Sequence, residues 1–84
     1  MQKYLVEFLG TMFLMYVILA TGNAYAISAA LAVAIVLGGK ISGGHFNPAV
    51  SVAMTVKNKL SKNDLVAYVL AQMAGAVVAL QLSR

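Results

Sequence analysis

Lys40-Ile41-Ser42-Gly43-Gly44-His45-Phe46-Asn47-Pro48-Ala49-Val50 is the stretch whose reading decides the fold. Polar side chains, adjacent glycines, the only histidine and the only proline meet there, with long apolar runs on both sides. Non-helical backbone at membrane depth is tolerated only where it is buried in protein or lines a water-filled cavity. Ser42-Gly43-Gly44 stops a helix. Asn47-Pro48 starts another, with Asn47 at the N-cap and Pro48 at the first helical position. Ala49 to Val56 then gives only two or so turns, too short to cross a bilayer. Residues 42–56 therefore read as a re-entrant loop and half-helix. The half-helix N-terminus offers N–H donors and a partial positive charge, and the glycine loop offers carbonyl acceptors. Such a file suits water or small neutral polyols, and the dipole disfavours cations.

The composition sets the medium. The 84 residues are 62% hydrophobic and 10% charged, with mean hydropathy +0.89. A soluble chain of this size needs a more polar surface, so a membrane protein is expected. There is no cysteine, hence no disulfide, thiolate metal site or cysteine nucleophile. Net charge is +4, but the lysines flank apolar runs. They read as anchors at a membrane surface and not as a nucleic-acid patch. His45 has no carboxylate near it in sequence, so neither an enzyme nor a metal centre is expected. Met1-Gln2-Lys3, an apolar run from Phe8 to Ala20 and Ala24-Tyr25-Ala26 have the outline of a signal peptide. Glu7 at the head of that run, and a second span beginning at once, favour a retained helix. Met1 and the polar end at Arg84 are those expected of a whole reading frame.

Outward from the central stretch, an all-α membrane fold is expected: helices over about 4–21, 24–41 and 64–82, besides the half-helix, in one domain. Thr21-Gly22-Asn23 is a tight turn, which makes the first two spans antiparallel neighbours. Ala26, Ala30, Ala34 and Gly38 form an i, i+4 row of small residues, as do Ala67, Ala71, Gly75 and Ala79. Such rows let helix backbones approach closely in lipid, so the second and third spans, or copies of them, are expected to pack through them. Glu7 is costly inside a span and should face inward, accepting hydrogen bonds from exposed backbone. Gln72 reads as an interhelical hydrogen-bonder. Lys3, Lys40, Lys57, Lys59 and Lys62 fall on one side of the membrane and Arg84 on the other, which puts the N-terminus in the cytoplasm.

Ser42 to Val50 resembles the signature of the aquaporin, or major intrinsic protein, family. Glu7-Phe8-Leu9-Gly10-Thr11 is similar to that family's first helix, and Ala71-Gln72 with Gly75 to its third. The resemblance covers nearly the whole chain, in the family's order, and implies the N-terminal half of an inverted-repeat bundle. It implies a channel for water and small neutral solutes such as glycerol, lying in the cell membrane and needing no cofactor. Asn47 would turn its amide to the midplane, with Pro48 and Ala49 holding the half-helix against its mate. The carbonyls of Gly43, Gly44 and His45 would line the file, and Glu7 would brace the loop. Ile27 falls near the family's selectivity constriction, where an aliphatic residue implies a wider gate. The Gly-Gly-His form of the loop looks more like the water channels than the glycerol facilitators.

The departure is one half where the family has two. The arginine that follows the second half's Asn-Pro-Ala has no counterpart, since Val50 stands there. A pore would then need a second copy in opposite orientation or an inverted partner half. Lysine placement disfavours the former. Other readings are an inactive fragment or a small holin-like protein that permeabilises membranes. The holin reading leaves the central stretch unexplained. A rotor-ring subunit would need a carboxylate midway along its ion-binding helix, and there is none.

Overall fold

Glycine and asparagine punctuate the chain into helices of two lengths. The computed structural model describes residues 1–84, with α1 at Gln2–Thr21, α2 at Ala24–Ser42, α3 at Pro48–Val56 and α4 at Lys62–Ser83. There is no strand. Gly22, at φ 55°, closes α1 in the left-handed conformation, and its N–H reaches the Ile18 carbonyl. Asn23 then caps α2 by accepting the N–H groups of Tyr25 and Ala26, each at 3.0 Å. Ser61 caps α4, accepting the Asp64 N–H at 3.1 Å. For that reason α4 begins at Lys62, two residues ahead of the expected start.

α1 is the central helix, flanked antiparallel by α2 and parallel by α4, while α3 lies against α4. The expected pairing of the second and third spans does not occur within the chain. The bodies of α2 and α4 stay apart, and each uses its small residues against α1. The reason is visible at two glycines. A Cβ on Gly75 would lie 2.5 Å from the Phe8 carbonyl oxygen and 3.1 Å from the Met12 nitrogen. A Cβ on Gly38 would lie 2.6 Å from Val6 Cγ1. Both rows are thus filled by the helix between them. Ala30, Ala34, Gly38, Gly75 and Ala79 are buried there, whereas Ala26, Ala67 and Ala71 are half-buried. Between α1 and α2 a groove of about 370 Å³ remains, lined by Val6, Leu9, Phe13, Val33, Leu37 and the ring of Phe46 among others.

The burial pattern is that of a membrane protein. Of 13 buried residues, Glu7, Thr11, Ser42, His45, Ser51 and Gln72 are polar, while the large aliphatic side chains lie outside. On α4 the exposed residues Val66, Leu70, Met73, Val77 and Leu80 make an apolar stripe opposite buried Gln72. The three long helices have 20, 19 and 22 residues and are apolar enough to cross a membrane. At ~1.5 Å per residue each can cross a ~30 Å hydrocarbon core. The chain is an integral membrane protein. At one end of the bundle Asp64 accepts from Lys3 Nζ at 2.7 Å and from the Tyr4 hydroxyl at 2.6 Å.

Candidate functional site

Glu7 organises the site. It is fully buried, and an ionised carboxylate is an acceptor only, with room for about four donors. Four donors reach it. Ser42 Oγ and the His45 N–H donate to Oε2 at 2.7 and 3.1 Å. The Phe46 N–H and Gln72 Nε2 donate to Oε1 at 2.7 and 2.9 Å. A buried charge is tolerable only with this kind of saturation. The carboxylate ties α1 to the end of α2, to the loop and to α4. Consecutive N–H groups converging on one anion form a backbone nest, and here the anion is the protein's own.

The loop's left-handed turns make the nest. Gly43 and Gly44 have φ 92° and 68°, and Phe46 has φ 54°. For phenylalanine such a conformation costs about 1–3 kcal/mol. The bond from its N–H to Glu7 offsets this, as does its ring, which sits in a notch over Gly10. A Cβ on Gly10 would come within 2.1 Å of the Phe46 ring.

The outcome is a segment with its donors and acceptors separated. Gly43 N–H goes to the Gly39 carbonyl at 2.8 Å and Gly44 N–H to Ser42 Oγ at 3.2 Å. With His45 and Phe46 on Glu7, every N–H from Gly43 to Phe46 is engaged. Their four carbonyls accept no hydrogen bond within the chain. Asn47 follows directly. It is exposed, its Oδ1 accepts the Ala49 N–H at 2.8 Å, and its Nδ2 donates to no group of the chain. Pro48 and Ala49 are exposed beside it.

Behind the loop a second layer fixes His45. Its Nδ1 lies 2.8 Å from Ser51 Oγ, and Gln72 Nε2 donates to the same oxygen at 2.9 Å. The Tyr68 hydroxyl donates to the Ser42 carbonyl at 2.6 Å, and its ring packs 5.1 Å from the His45 ring. Gly43, Gly44, His45, Asn47 and Glu7 are thus brought into one assembly. Ile27 is not among them: it is half-buried in the first turn of α2, at the opposite end of that helix. Sequence reading passed over Ser51 and Tyr68. The signal for Ser51 was a hydroxyl four residues past Asn47 in an otherwise apolar half-helix.

The sequence matches the family described as Major intrinsic protein over residues 21–84. It is 44% identical over 88 residues to Glycerol uptake facilitator protein-like 6 of Lactiplantibacillus plantarum, covering 94% of this chain and 41% of that protein. Over 55 residues it is 46% identical to Aquaglyceroporin AqpS of Rhizobium meliloti, covering 66% of the chain and 24% of that relative. Over 41 residues it is 56% identical to Aquaporin Z of Brucella melitensis, covering 49% and 18%. The chain therefore spans less than half the length of each of these relatives. No solved structure matches it significantly. With a family match across most of its length and the loop and half-helix in place, the chain belongs to the major intrinsic protein family of membrane channels.

Proposed function

We propose that the chain is one half of a channel for passive flux of water and small neutral solutes such as glycerol, its pore completed on assembly with another half. The observation that carries this reading is the run of four carbonyls without partners in the chain, ending at the free amide of Asn47. Within a bilayer such a run needs water or protein beside it. Carbonyls accept from a passing hydroxyl or water, and the Asn47 amide donates to it. Pro48 and Ala49 offer the surface for the opposing half-helix, and Ile27 lines a constriction at the far mouth. The names of the relatives include both a glycerol uptake facilitator and an aquaporin, which is why both solutes are kept.

Five lysines at one end and Arg84 at the other favour a single orientation with the N-terminus in the cytoplasm. The mate is then an inverted partner half in preference to a second copy of this chain. Accessibility of tags at both termini in cells of measured permeability decides this point. A single orientation leaves the partner half, and a mixed one restores the homo-oligomer.

Stopped-flow light scattering of the purified chain in vesicles tests the channel, with Asn47→Asp as the control. The aspartate can still cap the Ala49 N–H but loses the amide donor and places a negative charge at the half-helix N-terminus. Osmotic shrinkage faster than that of empty vesicles, slowed by the substitution, is the expected result. Flux equal to empty vesicles, with the chain alone and with its partner half supplied, sinks the channel reading.

A further inference from the structure

Hydrogen-bond direction propagates from Glu7 to the only histidine. Glu7 Oε1 is an acceptor, so the Gln72 atom 2.9 Å from it must be the amide nitrogen. The reverse amide orientation would set two oxygens against each other in a buried site. The second N–H of that nitrogen points to Ser51 Oγ, also at 2.9 Å, and Ser51 therefore accepts from Gln72. Its own proton needs another acceptor. The only other bond made by Ser51 Oγ is with His45 Nδ1 at 2.8 Å. Nδ1 is then the acceptor and carries no proton, and a neutral imidazole with Nδ1 bare has its proton on Nε2.

The surroundings fit this assignment. Ser51 is fully buried and Gln72 nearly so, so no bulk water competes for their protons. Gln72 Oε1 is buried without a partner, a cost incurred by turning Nε2 to Glu7. His45 Nε2, in contrast, has no partner in the chain and is not enclosed. It lies beside the Gly43 backbone, where a Cβ on Gly43 would be 3.1 Å from it.

We infer that Gln72 is a positioning residue that, through Ser51, locks His45 with its proton on Nε2, so that the loop presents one side-chain N–H donor beside its carbonyl acceptors. Its use as a donor to water or a solute hydroxyl rests on the channel reading above, whereas the tautomer rests on the hydrogen-bond chain alone. The groups facing His45 are the Ser51 hydroxyl on α3, the Tyr68 ring on α4 and, through Gln72 and Ser51, the carboxylate of Glu7 on α1.

A single histidine makes the test direct. The full chain, labelled with 15N only in histidine and held in lipid bilayers near neutral pH, gives one pair of ring-nitrogen signals. The expected spectrum has protonated Nε2 and bare Nδ1. A protonated Nδ1, or a mixture of tautomers, overturns the inference. In Gln72→Met, Ser51 is freed and the lock is lost, so both tautomers are expected. A pure Nε2–H form in that variant assigns the lock elsewhere and overturns the role of Gln72. Ser51→Thr keeps the hydroxyl and should keep the wild-type spectrum, and a tautomer mixture there counts against the relay. Water flux absent with the expected tautomer counts against the channel reading only. Flux present with the reverse tautomer counts against this inference only.

Discussion

On one flank of α1, α4 is held by bonds and by bare backbone contact. On the other, α2 packs by its small residues, with a ring from the loop wedged into the seam. The α4 seam contains the Gln72–Glu7 bond, the Lys3 and Tyr4 bonds to Asp64, and Gly75 against the main chain of Phe8 and Met12. The α2 seam has one polar link, Ser42 to Glu7, at its end. Along the rest Ala30, Ala34 and Gly38 lie against α1, Phe46 fills the notch over Gly10, and a groove of about 370 Å³ stays open. The difference teaches where this membrane bundle has slack. Lipid gives helices no hydrophobic reason to associate, so a seam is as firm as its close contacts and hydrogen bonds. The α4 flank has both along its length. The α2 flank has close contact at its small residues but a single hydrogen bond, and a loop side chain fills its notch.

Glu7→Leu should have the largest effect, because it strips the polar anchor from both flanks at once. Each buried donor left without an acceptor costs about 1–3 kcal/mol, and four are left. A loss above about 4 kcal/mol is expected, read by helical melting in detergent. A drop of less than 1 kcal/mol by the same measure would mean that the loop holds its shape without the nest. Gly75→Ala comes next. Its Cβ would meet backbone, which cannot rotate away, so overpacking should cost about 2–3 kcal/mol.

Gly10→Ala acts on the other flank, and the atoms its Cβ meets first belong to the Phe46 ring. Because a ring can shift into the neighbouring groove, a loss of about 1–2 kcal/mol is expected. The shift moves the residue before Asn47, so flux in vesicles should fall more than stability does. Equal damage from Gly10→Ala and Gly75→Ala would erase the contrast between the flanks. Lys3→Met should have the smallest effect, a melting change that vanishes in high salt, because the pair with Asp64 is partly exposed.

Much of this arrangement was legible before any coordinates. Hydropathy and turn residues marked the helices, and a carboxylate stranded in a span implied that Glu7 accepts from backbone. The small-residue rows were legible as surfaces of close approach but did not say what approaches. A row of alanines and glycines carries no address, and α1 has no matching row to announce itself as the common partner. The line of α4 that is buried runs Tyr68, Gln72, Gly75, Ala79, partly off the small-residue row, because Glu7 draws Gln72 inward. Ser51 was hidden for a similar reason. One hydroxyl in an apolar half-helix has no periodicity, and its meaning depends on His45 and Gln72, which lie 6 and 21 positions away.

The carbonyls of Gly43 to Phe46 also bear on how many molecules meet. In hydrocarbon each unsatisfied backbone group costs several kcal/mol, so a lone copy diluted in lipid is penalised by its own loop. The same four acceptors, once wetted or covered, lose that penalty. On the proposed reading, in which a mate covers these carbonyls, the chain's stability should rise with the concentration of that mate in the bilayer. On that reading the surface proposed to carry solute is also the one that favours association of the halves.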